Sequence, residues 1–267
     1  DALLVLDIGS GVYALAVFKE PATSAPRLAC GSNDGKVRVF DVVAGGDALL
    51  VLDAGDKVRA SVAFEDLATG APRIASGSDE KVRVFDPVCG EALVVLEGHT
   101  RYVCALTAFT DLATGEPRLV SGSIDSVRVW NPAAGDEAIE AEPEGHFDEV
   151  KALVTFVDTA TGALRVATGA RRDVTIRVWD AETGGGLLVI NVGDDVSALA
   201  FFVDPATGAP RLACGSEDKK VRVFDPVAGG EALVVIDVDC YVNALAFFVD
   251  PATGAPRLVT SSGEVFD

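Results

Sequence analysis

Methionine is absent, and histidine, tryptophan and tyrosine number only two, two and three in 267 residues. Without a methionine to start it, the chain is expected to be a processed form, an excised piece or a reconstructed sequence. Two histidines leave little scope for histidine-based acid–base chemistry. No serine or cysteine stands in a G-x-S-x-G elbow, and neither H-E-x-x-H nor a Walker loop occurs. Scarce aromatics weaken a sugar site, which is ordinarily built on aromatic platforms. No apolar run approaches the length of a bilayer span, so no membrane insertion is expected. Bases are also in short supply: 22 Lys and Arg against 41 Asp and Glu leave a formal charge of -19. That balance argues against nucleic acid as a partner, because phosphate backbones require clustered cations.

The five cysteines, Cys30, Cys89, Cys104, Cys214 and Cys240, are odd in number and form no C-x-x-C. Neither a disulfide framework nor a zinc site is expected. Cys30 and Cys214 stand in "ACGS" where sister segments carry Ser76 and Ser121, which reads as small buried thiols. With no N-x-[ST] sequon and no signal peptide, the reading is an intracellular, reducing compartment, most simply the cytoplasm.

What the chain does contain, it repeats. Segments of the type "VRVFD" end at Asp41, Asp86, Asn131, Asp180, Asp225 and Asp267, at intervals of 45, 45, 49, 45 and 42 residues. A period in that range signals a solenoid or a propeller. Each repeat holds four short runs rich in β-branched residues, separated by Gly, Pro and Asp turns such as "VDPATGAP" and "DPVAGG". Helical periodicity is absent. The chain starts with a fourth-run sequence, "DALLVL", and stops at a third-run sequence, "SSGEVFD". The expected fold is all-β: one domain over 1–267, a six-bladed propeller of four-stranded antiparallel blades, closed by the N-terminal strand pairing with the last blade.

The cadence resembles the WD40 repeat family over essentially the whole chain. The fourth repeat fits that family's pattern with Gly145-His146, Thr168, Asp173 and Trp179-Asp180. The third does so with Gly98-His99, Ser121, Asp125 and Trp130, although Asn131 replaces the final Asp. The resemblance implies that His99, Ser121, Asp125 and Trp130, and likewise His146, Thr168, Asp173 and Trp179, form hydrogen-bonded networks that lock their blades. The other repeats depart from the pattern. They lack the His, and Phe40, Phe85 and Phe224 stand where Trp belongs. The resemblance further implies a rigid platform for other proteins, without catalytic activity of its own.

Variation among the repeats locates a candidate site. In the first strands one alternating column is apolar, as in Val12, Ala14, Ala16 and Phe18, and is expected to pack between blades. The position just after the leading valine reads Tyr13, Arg59, Cys104, Lys151, Ser197 and Asn243, six different residues in an otherwise monotonous chain. Equivalent structural demands would favour equivalent residues, so this divergence suggests an asymmetric partner at the channel mouth. Tyr13, Arg59, Lys151, Ser197 and Asn243, extended by Arg101 and Tyr102, are the expected partner-binding residues. The partner is expected to be a protein or peptide, with the chain as one member of a larger complex. Alternatives are a small-ligand or carbohydrate-binding propeller, or an enzyme using acidic loop residues around a metal. No cofactor is expected. The loop carboxylates Asp7, Asp53, Asp56, Asp148, Asp194, Asp195, Asp237 and Asp239 do not match an EF-hand and read as a solvated acidic rim. The third-strand arginines Arg38, Arg83, Arg128, Arg177 and Arg222 read as structural, paired with local carboxylates.

Overall fold

Alternating apolar and polar residues over five to nine positions, broken by turns, can bury one face only as strands. The computed structural model describes residues 4–135, 138–140, 146, 148–250, 256–261 and 263–266, and those residues contain strands and turns but no helix. The first sheet runs in the order β1 (Val12–Lys19), β2 (Pro26–Ser32), β3 (Lys36–Asp41) and β4 (Leu50–Asp53). The second is β5 (Val58–Asp66), β6 (Ala71–Ser78), β7 (Lys81–Phe85) and β8 (Ala92–Glu97). The third is β9 (Ala105–Thr110), β10 (Pro117–Gly122), β11 (Val127–Trp130) and β12 (Ile139–Glu140). The fourth is β13 (Val150–Val157), β14 (Leu164–Ala170), β15 (Thr175–Asp180) and β16 (Gly186–Asn191). The fifth is β17 (Val196–Val203), β18 (Pro210–Ser216), β19 (Lys220–Phe224) and β20 (Val234–Asp237). The sixth is β21 (Leu245–Val249), β22 (Pro256–Thr260) and β23 (Val265–Phe266). Every recorded pairing is antiparallel between consecutive strands.

The chain packs as two compact bodies, Asp1–Ile139 and Glu140–Asp267. In the first body, Ala14, Ala16 and Phe18 of β1 pack with Val58 and Ala63 of the next sheet. In the second, Phe156 stacks on Phe201 at 4.9 Å between ring centroids and Phe202 on Phe247 at 4.7 Å. A glycine in the second strand makes this approach possible. A Cβ on Gly31 would lie 2.5 Å from Val58 Cγ1, and one on Gly77 2.6 Å from Val103 Cγ1. Gly169 and Gly215 meet Val196 and Val242 in the same way, at 2.2 and 2.3 Å. Each of these four leading valines thus seats in a glycine socket of the repeat before it. Val58, Val103, Val196 and Val242 are accordingly 0% exposed, whereas Val12 is 42% exposed. The expected packing of the apolar column therefore begins at Ala14 in the first repeat. The sixth repeat differs too: Ser261 occupies the glycine position, Phe248 is 42% exposed, and its sheet holds three strands among the described residues. At the other end Leu4–Leu6 form no strand and residues 1–3 lie outside the described set.

Polar networks hold individual sheets together. His99 Nδ1 lies 2.9 Å from Asp125 Oδ1 and its Nε2 2.7 Å from Ser121 Oγ, which also accepts a 2.7 Å bond from Trp130 Nε1. In the fourth repeat His146 Nδ1 meets Asp173, its Nε2 lies 2.7 Å from Thr168 Oγ1, and Trp179 Nε1 donates to the same oxygen at 2.8 Å. Gly145, its expected partner in the Gly-His pair, lies outside the described residues. The first, second and fifth repeats, which lack His, use the third-strand arginine. Arg38 donates to Ser32 Oγ at 2.9 Å and to Asp34 at 2.6 Å, Arg83 to Ser78 Oγ at 2.9 Å, and Arg222 to Asp218 at 2.5 Å. Of the five third-strand arginines, Arg38, Arg177 and Arg222 form ion pairs with nearby Asp34, Asp173 and Asp218. Phe40 and Phe224 have no indole N–H to satisfy, and there the second strand carries Cys30 and Cys214, both buried. Burial pushes the Cys214 thiol up to about 12 and raises that of Cys30 as well.

A second set of arginines, at the start of each second strand, was not singled out by the sequence pattern. Arg27 bridges Glu20 at 2.5 Å and Asp41 at 2.7 Å, and Arg73 bridges Asp66 at 3.3 Å and Asp86 at 3.0 Å. Each ties the "DPATGAP"-type loop of its repeat to the turn after the third strand.

Candidate functional site

The variable position after each leading valine has a structural cause. In β1, Val12 pairs with Ser32 but Ala14 with Gly31, so Tyr13 is an extra residue in a β-bulge. The same shift isolates Arg59 between Val58 and Ala60, Lys151 between Val150 and Ala152, and Ser197 between Val196 and Ala198. A bulged residue is released from the ladder, and its side chain is re-aimed. The ladder therefore does not dictate the residue type there. In the third repeat β9 starts after Cys104, whose N–H donates to Gly122 O at 2.9 Å. In the sixth, Asn243 lies before β21 and its N–H donates to Ser261 Oγ at 3.0 Å.

Within the first body, four side chains form a row. Lys57 Nζ sits 3.7 Å from the centre of the Tyr13 ring. Arg59 Cζ sits 4.5 Å from the centre of the Tyr102 ring. Both contacts have cation–π geometry. The ammonium of Lys57 beside it holds the Tyr13 hydroxyl below the usual tyrosine value of 10.0. Tyr13 and Tyr102 are 55% and 46% exposed, so the row faces solvent. Arg101, beside Tyr102, is exposed. Arg59 is half-buried, and its Nε is buried without a hydrogen-bond partner.

The structure thus brings Tyr13, Arg59 and Tyr102 together. In the second body, Lys151 is half-buried, Asn243 is exposed, and Ser197 is only 8% exposed, which leaves its hydroxyl little surface to offer a partner. Lys57 was missed because only the position after the valine was compared. The position before it reads Gly11, Lys57, Tyr102, Glu149, Asp195 and Tyr241, which is nearly as diverse and would have revealed it.

The acidic loops are engaged locally. Asp53 pairs with Lys36 at 2.8 Å, Asp148 with Arg172 at 3.7 Å and Asp237 with Lys220 at 3.6 Å. Among the described residues, no group of three or more His, Cys, Asp or Glu is placed to hold a metal ion. No helix among them is long and apolar enough to cross a membrane.

Comparison with known proteins adds to this geometry. The profile of the "WD domain, G-beta repeat" family matches residues 189–225, spanning β17 to β19. Over that segment the chain is similar to the WD40 repeat family. A crystal structure of the computationally designed Ika8 protein is 28% identical to this chain, with a TM-score of 0.69 over 98% of this chain and 72% of that one. A chain of the mitotic checkpoint complex is 19% identical, with a TM-score of 0.73 over 97% of this chain and 74% of that one. The latter likeness concerns the fold. No curated protein matches this chain in sequence.

Proposed function

We propose that the chain is a non-enzymatic interaction platform that binds a peptide or protein segment at the starts of its first strands. The observation that carries this reading is the row Tyr13–Lys57–Arg59–Tyr102, exposed and rich in the side chains that commonly anchor interfaces. Its members come from three successive repeats, and Tyr13 and Arg59 sit on bulges that free them from the ladder. Arg101 extends the patch, and Lys151, Ser197 and Asn243 are the corresponding residues of the later repeats. The family supports the reading, since WD40 propellers generally serve as scaffolds. So does the fold's presence in a chain of the mitotic checkpoint complex, itself an assembly of proteins. Fold alone does not select a partner.

Closure into a six-bladed ring by the N-terminal segment belongs to the same proposal. A Cβ on Gly45 would lie 2.6 Å from Leu4 Cδ1, just as one on Gly90 would meet Leu50 at 3.2 Å and one on Gly135 Val94 at 3.1 Å. Leu4 therefore stands beside the first sheet where Leu50 and Val94, both in fourth strands, stand beside the next.

Affinity capture with the native chain beside a Tyr13→Ala/Arg59→Ala/Lys151→Ala variant tests the reading. Proteins retained by the native chain and lost by an equally stable variant are the expected result; equal capture by both removes the site from this face. The alternative small-ligand reading has one observation in its favour. A cleft of about 680 Å³ opens between the second and third sheets, lined by Phe64, Leu67, Leu93, Arg73, Glu116 and Pro132 among others. Phe64 is the single aromatic residue lining it among the described residues, so a stacked sugar is a poor match.

A further inference from the structure

Carboxylates outnumber cations in this chain, 41 to 22, and most cations near a carboxylate are held by one. Arg27, Lys36, Arg38, Arg73 and Lys81 all sit in ion pairs of 3.3 Å or less. Lys57, Arg59 and Arg101 form no ion pair among the described residues, although Asp53 and Asp56 lie close in sequence. Two of the three rest on tyrosine rings instead. A guanidinium stacked on a ring keeps its edge free, and that edge presents the N–H fork that suits an oxyanion. In Arg59 the Nε is buried with no acceptor inside the chain. Buried donors are nearly always satisfied, so one left without an acceptor leaves this guanidinium uncompensated within the chain, and its more exposed Nη end is open to an anion.

We propose that this row takes a single oxyanion carried by a peptide side chain, a carboxylate or a phosphoryl group, accepted by Arg59 and flanked by Lys57. Tyr13 and Tyr102 wall the site with their rings, and Arg101 adds positive potential. The chain's charge of -19 would repel an extended polyanion, so the segment around the oxyanion is neutral or basic. This inference rests on the peptide-binding reading above and specifies its ligand chemistry.

The test uses the full chain and three capped amino acids: acetyl-glutamate amide, acetyl-phosphoserine amide and acetyl-glutamine amide. The Nε–H of Arg59 is followed by ¹⁵N NMR and assigned by its loss in Arg59→Lys. Saturable shifts with the glutamate or phosphoserine probe, weakened by added salt and absent with glutamine, are expected. A response to one of the two oxyanions tells carboxylate from phosphoryl recognition. The companion variant Tyr102→Leu, shown to melt like the native chain, is expected to bind the probe about tenfold more weakly. Equal responses to all three probes, or no shift of Arg59 Nε–H at tens of millimolar probe, overturn the proposal. Differential protein capture persisting alongside such a null result leaves the platform reading intact and rejects only the oxyanion. Oxyanion binding without differential capture does the reverse.

Discussion

At the scale of single residues, the partner of each buried polar atom decides which substitution is tolerated. Ser121 accepts from Trp130 and meets His99 as well, so Ser121→Ala strands two buried groups at once. It is expected to cost roughly 2–4 kcal/mol in urea unfolding. Cys30 occupies the corresponding position beneath Phe40, where no indole asks for an acceptor. Cys30→Ala is expected to cost about 1 kcal/mol, the price of a small cavity. Thiol labelling of the native chain checks the same assignment. Cys89 and Cys240, both exposed, are expected to react with iodoacetamide. Cys30 and Cys214, buried and with raised pKa values, are expected to react only after unfolding, as peptide mass spectrometry would show.

At the scale of elements, the junction between neighbouring sheets depends on a glycine and a valine together. Gly77→Ala would drive a methyl group to 2.6 Å from Val103 Cγ1, and a loss of about 1–3 kcal/mol is expected. In a Val103→Ala background the same substitution is expected to cost less, because the clashing methyl is gone. Additive losses in that double-mutant cycle would refute the socket. The bulge just after the leading valine Val58 on β5 has the opposite character. It frees Arg59 from the ladder, so Arg59→Ala is expected to alter binding while leaving the melting temperature within a few degrees.

At the scale of the whole molecule, protonation is the testable property. Burial lowers the pKa of His146 below 6.5, so the unfolded state binds its proton first as pH falls. That part of the stability is complete above pH 6.5 and is lost as pH falls through the lower folded value. Hydrogen bonds hold the carboxyls of Asp34 (to Arg38), Asp158 (to Thr161) and Asp204 (to Thr207) below their usual 3.8. Their contribution is present above that value and is lost at still lower pH. Calorimetry is therefore expected to show melting temperature falling in two acid stages, the first missing in His146→Gln.

Periodicity alone determined the strand class, the number of repeats and the turns between them, because turn chemistry and two-residue alternation act locally and recur every 45 residues or so. The family pattern marked the His–Ser–Trp and His–Thr–Trp networks for the same reason: identical local demands select identical residues. What lies between strands was not legible. The valine sockets depend on how closely two sheets approach, and no single segment encodes that distance. The arginine substitutes for the missing histidines, and the clamps of Arg27 and Arg73, join residues far apart in sequence through side-chain reach. Nor did the one-dimensional pattern reveal that Tyr13 and Arg59 are bulged, or that Lys57 lies on Tyr13 and Arg59 on Tyr102. Tertiary packing decided that, by bringing the strand starts of three repeats within contact distance and leaving those cations nearer to rings than to carboxylates.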